Sequence, residues 1–152
     1  MEILSYRSPL PPHRIVTGSF VDRNPNMTYL AVSEDRHCVA IDVCSDMEAV
    51  LSDLEKRNLK LDCLLITHYH HDHTFALRDW LRQFPDLSVG IHAASLGALS
   101  SSGIKQAFPL TDGMSIKVGN ENIRILATPG HTSDSLCFWD EKGNNLFTGD
   151  AV

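Results

Sequence analysis

The segment Thr67-His68-Tyr69-His70-His71-Asp72-His73 holds four of the chain's eight histidines within six residues. It follows the apolar run DCLLIT, residues 62–67, which predicts a buried strand. On a helix, side chains two positions apart diverge by about 200°, whereas on an extended loop they point the same way. His68, His70 and Asp72 can therefore face one point, and imidazole and carboxylate are ligands that Zn²⁺, Fe²⁺ and Mn²⁺ accept. The segment predicts a metal site; the alternative is a solvated loop rich in histidine.

Two later segments have the same arrangement of a strand followed by a polar residue. Thr128-Pro129-Gly130-His131-Thr132 ends a β-like run with a turn and one imidazole, and Phe147-Thr148-Gly149-Asp150 ends another with a carboxylate. Each motif alone is weak, since Pro-Gly and Gly-Asp are ordinary turn sequences. Three such loops at strand ends can converge on one edge of a sheet, where sites in α/β folds tend to form.

Composition bounds the class of protein. The 152 residues are 43% hydrophobic and 21% charged, with a net charge of −6, which fits one soluble domain over residues 1–152. The acidic balance argues against a nucleic-acid partner, and no apolar run is long enough for a membrane helix. The absence of a secretory signal and of any CxxC pair among four cysteines favours reduced thiols in the cytoplasm.

The remaining pattern predicts a mixed α/β domain. A capping-box sequence at Ser45 predicts a helix from Asp46 to Asn58, and Thr74 is the expected cap of a second helix that Pro85 ends. The residues SEDR, 33–36, suggest a hairpin. A further short helix is expected at Ala93–Leu99. The predicted strands, besides the one at 62–67, are Ile15–Phe20, Met27–Ser33, Cys38–Val43, Leu87–Ile91, Ser115–Val118, Asn122–Ala127, Ser135–Trp139 and Leu146–Thr148.

The motifs THYHHDH, TPGHT and FTGD together resemble the metallo-β-lactamase superfamily, in order and in spacing. The stretch NMTYLAVSEDRHCVAIDV, residues 26–43, resembles the opening hairpin of that family. The resemblance covers roughly Ile15 to Val152. It implies an αββα sandwich, in which two mixed β-sheets are flanked by helices. Within the superfamily, the glyoxalase-II-like branch of metal-dependent hydrolases is the leading candidate.

The resemblance also implies a ligand set for one or two ions, Zn²⁺ first, with Fe²⁺ or Mn²⁺ as alternatives. The first ion would be bound by His68, His70 and His131. The second would be bound by Asp72 and His73, with Asp150 as a bridge between the two ions. Asp72 is in addition the expected catalytic residue. Hydrogen bonds that orient the ligands are expected from Thr67, Thr128, Thr148 and Asp62.

The implied reaction is attack of a metal-bound hydroxide on a small acyl substrate, either a thioester, an ester or a lactone. One alternative is a persulfide-dioxygenase-like oxidoreductase with a single iron bound by His68, His131 and Asp150, since two histidines and a carboxylate suit non-haem iron. Another is an inert chain that binds metal without turnover. A homo-oligomer is a further expectation, and nucleic-acid and membrane partners are not expected.

Three departures from the family pattern affect these expectations. Asp42-Val43-Cys44 stands where Asp-Thr-Gly is usual, and Thr74-Phe75-Ala76 replaces glycines near the rim of the site. The sequence also ends two residues after Asp150, without the late histidine that would complete the second metal site. The sequence therefore predicts a domain incomplete at its C-terminus that binds about one metal ion tightly.

Overall fold

The computed structural model of the protein describes residues 1–7, 26–44 and 47–151. Within these ranges the chain forms ten strands, four α-helices and one 3-10 helix at Ala93–Ser95. The strands are β1 (Glu2–Arg7), β2 (Met27–Val32), β3 (His37–Ile41), β4 (Lys60–Leu65), β5 (Ser88–His92), β6 (Ala107–Leu110), β7 (Ser115–Val118), β8 (Glu121–Ala127), β9 (Leu136–Asp140) and β10 (Asn145–Phe147). The α-helices are α1 (Met47–Lys56), α2 (His71–Thr74), α3 (Leu77–Gln83) and α4 (Leu96–Ser101).

The first six strands form one mixed sheet in the order β1-β2-β3-β4-β5-β6. The hairpin predicted at SEDR joins β2 and β3, where the Ser33 amide donates to the His37 carbonyl over 2.8 Å. From β3 to β6 the strands run parallel, with helices in the connections. The C-terminal ends of the parallel strands therefore lie at the same edge of this sheet.

The last four strands form a second sheet in the order β10-β9-β8-β7. Its strand pairs are antiparallel throughout, so the expectation of two mixed sheets is wrong for this one. Short turns at GNE and DEKGNN connect neighbouring strands, and such connections produce antiparallel pairs. The first sheet is mixed because helices connect its parallel strands.

Two apolar cores separate the layers. One lies between the first sheet and the helices, with α1, α3 and α4 contributing buried residues such as Val50, Trp80 and Leu99. The other lies between the two sheets, where Ile41 and Leu65 of the first sheet share a cluster with Phe138 of the second. The predicted α/β fold with two packed sheets is confirmed; an outer helical layer on the second sheet is not among the described elements.

The differences from the predicted elements have local causes. Two observed strands, β1 and β6, are not among the predicted ones. Pro109 lies within β6 and argues against a strand in the sequence, but β6 is the edge strand of its sheet, where a missing N–H is tolerated. The predicted cap at Thr74 is wrong: Thr74 closes α2, and α3 begins after Ala76. The strand predicted at Ile15–Phe20 and the helix start at 45–46 lie outside the described residues. Among the described helices, none is long and apolar enough to cross a membrane.

Candidate metal centre

The histidine and aspartate residues singled out in the sequence lie where strands of both sheets end. His68 and His70 follow β4 of the first sheet, whereas His131 follows β8 and Asp150 follows β10 of the second. The sheets are joined at this point by a backbone hydrogen bond of 2.8 Å from the Leu136 amide to the Thr67 carbonyl. The site therefore lies at one edge of the sandwich and takes side chains from both layers.

Three imidazole rings converge in a first cluster. The distance from Nε2 of His68 to Nδ1 of His70 is 3.0 Å, and that from Nε2 of His131 to the same Nδ1 is 3.1 Å. The three ligand atoms all lie within 4.8 Å of one another. Nitrogen ligands around one zinc ion stand about 2.0–2.1 Å from it, so their mutual separations are about 3–4 Å. The arrangement fits one tetrahedral ion with a position left open.

A second cluster adjoins the first. It consists of His68, His73 and Asp150, again with ligand atoms within 4.8 Å. One oxygen of Asp150 lies 3.1 Å from Nε2 of His73, and the other lies 3.5 Å from Nε2 of His131. The Asp150 carboxylate thus lies close to a ligand nitrogen of each cluster, and its role as a bridge between two ions stays a prediction.

Asp42 is the residue at this site that the sequence analysis did not assign. It is buried directly after β3, and its carboxylate accepts hydrogen bonds of 2.8 Å from the Thr67 amide and from the Thr67 hydroxyl. The same carboxylate lies 2.8 Å from Nδ1 of His73. The sequence pattern could have indicated Asp42, because it is a polar residue that follows a strand, as His68 does.

The contact with Asp42 prepares His73 for metal binding. With Nδ1 donating to the carboxylate, Nε2 carries the lone pair, and a carboxylate partner of this kind is usual behind a metal-ligating histidine. Nε2 of His73 is buried and has no hydrogen-bond partner within residues 1–7, 26–44 and 47–151, although an Asp150 oxygen lies 3.1 Å away. An unpartnered buried nitrogen is costly unless something binds it. This atom, together with the nitrogen and oxygen donors around it, fits a divalent cation.

The electrostatics of the buried histidines differ. Burial lowers the pKa of His68, and the neighbouring His73 lowers it further, so His68 keeps a free lone pair near neutral pH. Burial also acts to lower the pKa of His73, but the hydrogen bond and the negative charge of Asp42 outweigh it and raise the value. The His68 ring is held at Nδ1 by the Thr67 hydroxyl at 3.1 Å. Thr67 therefore has the orienting contacts that the sequence predicted.

Other predicted residues lie elsewhere. Asp72 belongs to neither cluster; one of its oxygens accepts a 2.9 Å hydrogen bond from the Asn26 amide, and its roles as ligand and catalytic residue stay predictions. The expectation for Asp62 is wrong, because it pairs with His37 at 2.8 Å. The hydroxyls of two threonines hydrogen-bond to groups other than the described histidines: that of Thr128 contacts the Cys137 sulfur, and that of Thr148 donates to the Gly149 carbonyl.

Known proteins with this architecture identify its class. The model of the Metallo-beta-lactamase superfamily matches residues 22–152, so this chain belongs to the metallo-β-lactamase superfamily. It is 34% identical over 143 residues to the atrochrysone carboxyl ACP thioesterase of Aspergillus fumigatus, covering 91% of this chain and 32% of that protein. It is also 34% identical over 130 residues to the hydroxyacylglutathione hydrolase of Aliivibrio fischeri, covering 85% of this chain and 48% of the relative.

One solved structure is also similar to this chain in fold and in sequence. The chain superposes on ETHE1 from Myxococcus xanthus with a TM-score of 0.67 and 29% identity, covering 83% of this chain and 52% of the other. The chain spans about a third of the length of the thioesterase and about half of the length of the hydroxyacylglutathione hydrolase. The predicted resemblance to the superfamily is confirmed.

Proposed function

We propose that this chain carries the metal centre of a hydrolase that cleaves an acyl substrate, with a thioester as the preferred bond. The observation that carries the proposal is the convergence of Nε2 of His68, Nδ1 of His70 and Nε2 of His131 beside His73 and Asp150. The names of two relatives, a thioesterase and a hydroxyacylglutathione hydrolase, both describe cleavage of an acyl–sulfur bond. Ester and lactone substrates have the same acyl carbon and are the next candidates.

The residues present define what each would do. His68, His70 and His131 would hold one divalent ion, and His73 with Asp150 would contribute to a second. Such ions act as Lewis acids on a carbonyl oxygen and lower the pKa of bound water toward about 7. The chain's own part is to keep the ligand nitrogens unprotonated and oriented. Burial does this for His68, and Asp42 fixes which nitrogen of His73 faces the site.

The test uses the purified chain, loaded with Zn²⁺ and dialysed, and two matched variants. His70→Ala removes the nitrogen that lies against both His68 and His131, whereas His71→Ala removes the adjacent exposed imidazole, whose ring contacts Phe75. We expect the His70 variant to lose at least one equivalent of zinc and most hydrolysis of an acyl glutathione thioester. The His71 variant should keep its zinc. Equal zinc content in the two variants would contradict the proposed site.

One other chemistry has support from the geometry, because an Asp150 oxygen lies 3.5 Å from Nε2 of His131, and two histidines with a carboxylate suit non-haem iron. A persulfide-dioxygenase-like reaction would use one iron ion held by His68, His131 and Asp150. The place of His70 within 3.1 Å of two of the cluster's histidines favours the hydrolase, because a two-histidine site leaves His70 without a role. Iron content with oxygen consumption and no thioester cleavage would favour the oxidoreductase. Retained metal without either activity would indicate an inert metal-binding chain.

A further inference from the structure

Asp134 is a buried carboxylate, 7% exposed, that precedes β9 and lies outside both ligand clusters. One of its oxygens accepts a hydrogen bond of 2.9 Å from the Tyr69 amide and one of 2.6 Å from the Ser95 hydroxyl. The Thr132 side chain, in the loop that holds Asp134 itself, acts to lower the pKa of the same carboxyl. Three separate parts of the chain thus meet at one side chain.

The Tyr69 donor and the loop that holds Asp134 itself both adjoin metal ligands. Tyr69 lies between His68 and His70, and Thr132 follows His131 directly. The loop around Thr132 is closed further by Ser135, whose hydroxyl lies 3.2 Å from the Thr132 amide and 2.7 Å from the Thr132 hydroxyl. Asp134 therefore links the loop of the first sheet that carries two ligands to the loop of the second sheet that carries the third.

The charge of Asp134 suits this role. Burial alone would raise the pKa of the carboxyl, but the hydrogen bonds from Ser95, Thr132 and Tyr69 outweigh it and lower the value. The group is ionised at neutral pH, and hydrogen bonds to an ionised acceptor are roughly twice as strong as those between neutral groups. A neutral amide at the same position would offer its one acceptor oxygen to the Tyr69 amide and the Ser95 hydroxyl, but without the negative charge that strengthens these hydrogen bonds.

We propose that Asp134 is a positioning residue that sets the spacing between His70 and His131, and so the affinity of the three-histidine cluster for its metal. The proposal rests on the metal centre proposed above, and it adds a residue that the ligand motif does not include. A carboxylate that only closed a surface loop would affect folding but leave the metal affinity unchanged.

Asp140 supplies a matched control at the other end of the same strand. It too is a buried carboxylate, and it accepts hydrogen bonds of 3.0 Å from the Gly143 amide and 2.8 Å from the Asn145 side chain. A third donor is the N-terminal ammonium group of Met1, 2.9 Å from an Asp140 oxygen, and none of the three donors is a neighbour of a ligand histidine. Asp134→Asn and Asp140→Asn therefore make the same chemical change at two buried carboxylates, of which only Asp134 contacts a neighbour of a ligand histidine.

The experiment measures the Zn²⁺ and Co²⁺ affinities of the purified chain and both variants by competition with a chromogenic chelator, and records the cobalt absorption spectrum. We expect Asp134→Asn to weaken the tighter site by about 10- to 100-fold, the usual effect of removing a group that orients ligands, and to alter the cobalt spectrum. Asp140→Asn should match the wild type in both. Hydrogen exchange without metal should show faster exchange at the Tyr69 amide in the Asp134 variant alone.

Wild-type affinity and spectrum in a folded Asp134→Asn chain would overturn the proposal while leaving the metal centre intact. Failure of the wild type itself to bind metal would overturn the proposed function and the positioning role together. If Asp134→Asn does not fold, Ser95→Ala replaces it, since this variant removes one donor and keeps the carboxylate. We expect Ser95→Ala to weaken metal binding by less than Asp134→Asn, and unchanged affinity in that variant would count against the proposal.

Discussion

At the scale of single residues, the buried carboxylate of Asp42 makes three polar contacts at the site. Its carboxylate serves the Thr67 amide, the Thr67 hydroxyl and Nδ1 of His73. Asp42→Asn would leave one oxygen for these three donors and remove the charge that favours one tautomer of His73. We expect weaker metal binding at the cluster of His68, His73 and Asp150 and destabilisation by about 1–3 kcal/mol, the cost of leaving a buried donor unpaired. Metal content after dialysis and urea unfolding check this.

The His37–Asp62 pair is the control for that experiment. It has the same chemistry, an imidazole nitrogen 2.8 Å from a carboxylate, but it is partly exposed and none of its atoms belongs to either ligand cluster. Asp62→Asn should keep the metal content of the wild type. If Asp42→Asn keeps it as well, Asp42 does not orient His73 for metal binding.

At the scale of elements, the turn after β10 depends on Gly149. Its φ is +53°, and a Cβ at this position would lie 2.6 Å from the Thr67 hydroxyl oxygen and 2.8 Å from the Thr67 Cβ. Gly149→Ala would therefore push the segment that carries Asp150 away from the end of β4. We expect a loss of stability greater than the roughly 1–2 kcal/mol that a left-handed conformation costs an L-residue, together with weaker metal binding.

Gly103→Ala isolates the contact from the backbone effect. Gly103 also has a positive φ, +90°, but a Cβ there would meet nothing within 4 Å. Both variants carry the conformational cost, so the difference between their free energies of unfolding measures the collision with Thr67. Equal losses in urea unfolding, with metal binding unchanged in both, would show that the turn adapts without moving Asp150.

The helices and strands also show which parts of the fold can be predicted from the sequence. Strands with apolar runs and sharp turns were predicted nearly to their ends, and Ser115–Val118 matches β7. Strand β6 was not predicted because a proline in the sequence argues against a strand. The edge strand β6 nevertheless contains Pro109, since an edge strand tolerates the missing N–H. The ligand motifs predicted which histidines meet, since strand ends place them together. The link through Asp134 could not be predicted, because it joins residues 65 positions apart by a contact with backbone.

At the scale of the whole molecule, we expect the free energy of unfolding to fall at acid pH, because buried carboxylates then take up protons. Burial raises the pKa of Asp140, but hydrogen bonds from the Gly143 amide and the Asn145 side chain, together with the N-terminal ammonium group, outweigh it, and the net pKa is lowered. A lowered folded-state pKa adds stability that is fully present above the unfolded value, about 3.9. That stability is lost as the pH falls through the folded-state value.

The comparison is urea unfolding of the metal-free chain and of Asp140→Asn between pH 7 and pH 3. The difference in free energy of unfolding between the two should be constant at neutral pH and should shrink below about pH 4, where the wild-type carboxyl begins to take up its proton. A difference that stayed constant down to pH 3 would show that Asp140 does not titrate differently in the folded and unfolded states.

The division of the ligands between two sheets has a consequence for the life of the protein in a cell. An ion held by His68 of the first sheet and His131 of the second can bind only while the sheets are packed together. A ligand selective for the native state stabilises it by about 4 kcal/mol at a thousand times its dissociation constant. When metal is scarce, the chain would open more often and be cleaved by proteases sooner. Its cellular abundance would then follow the metal supply.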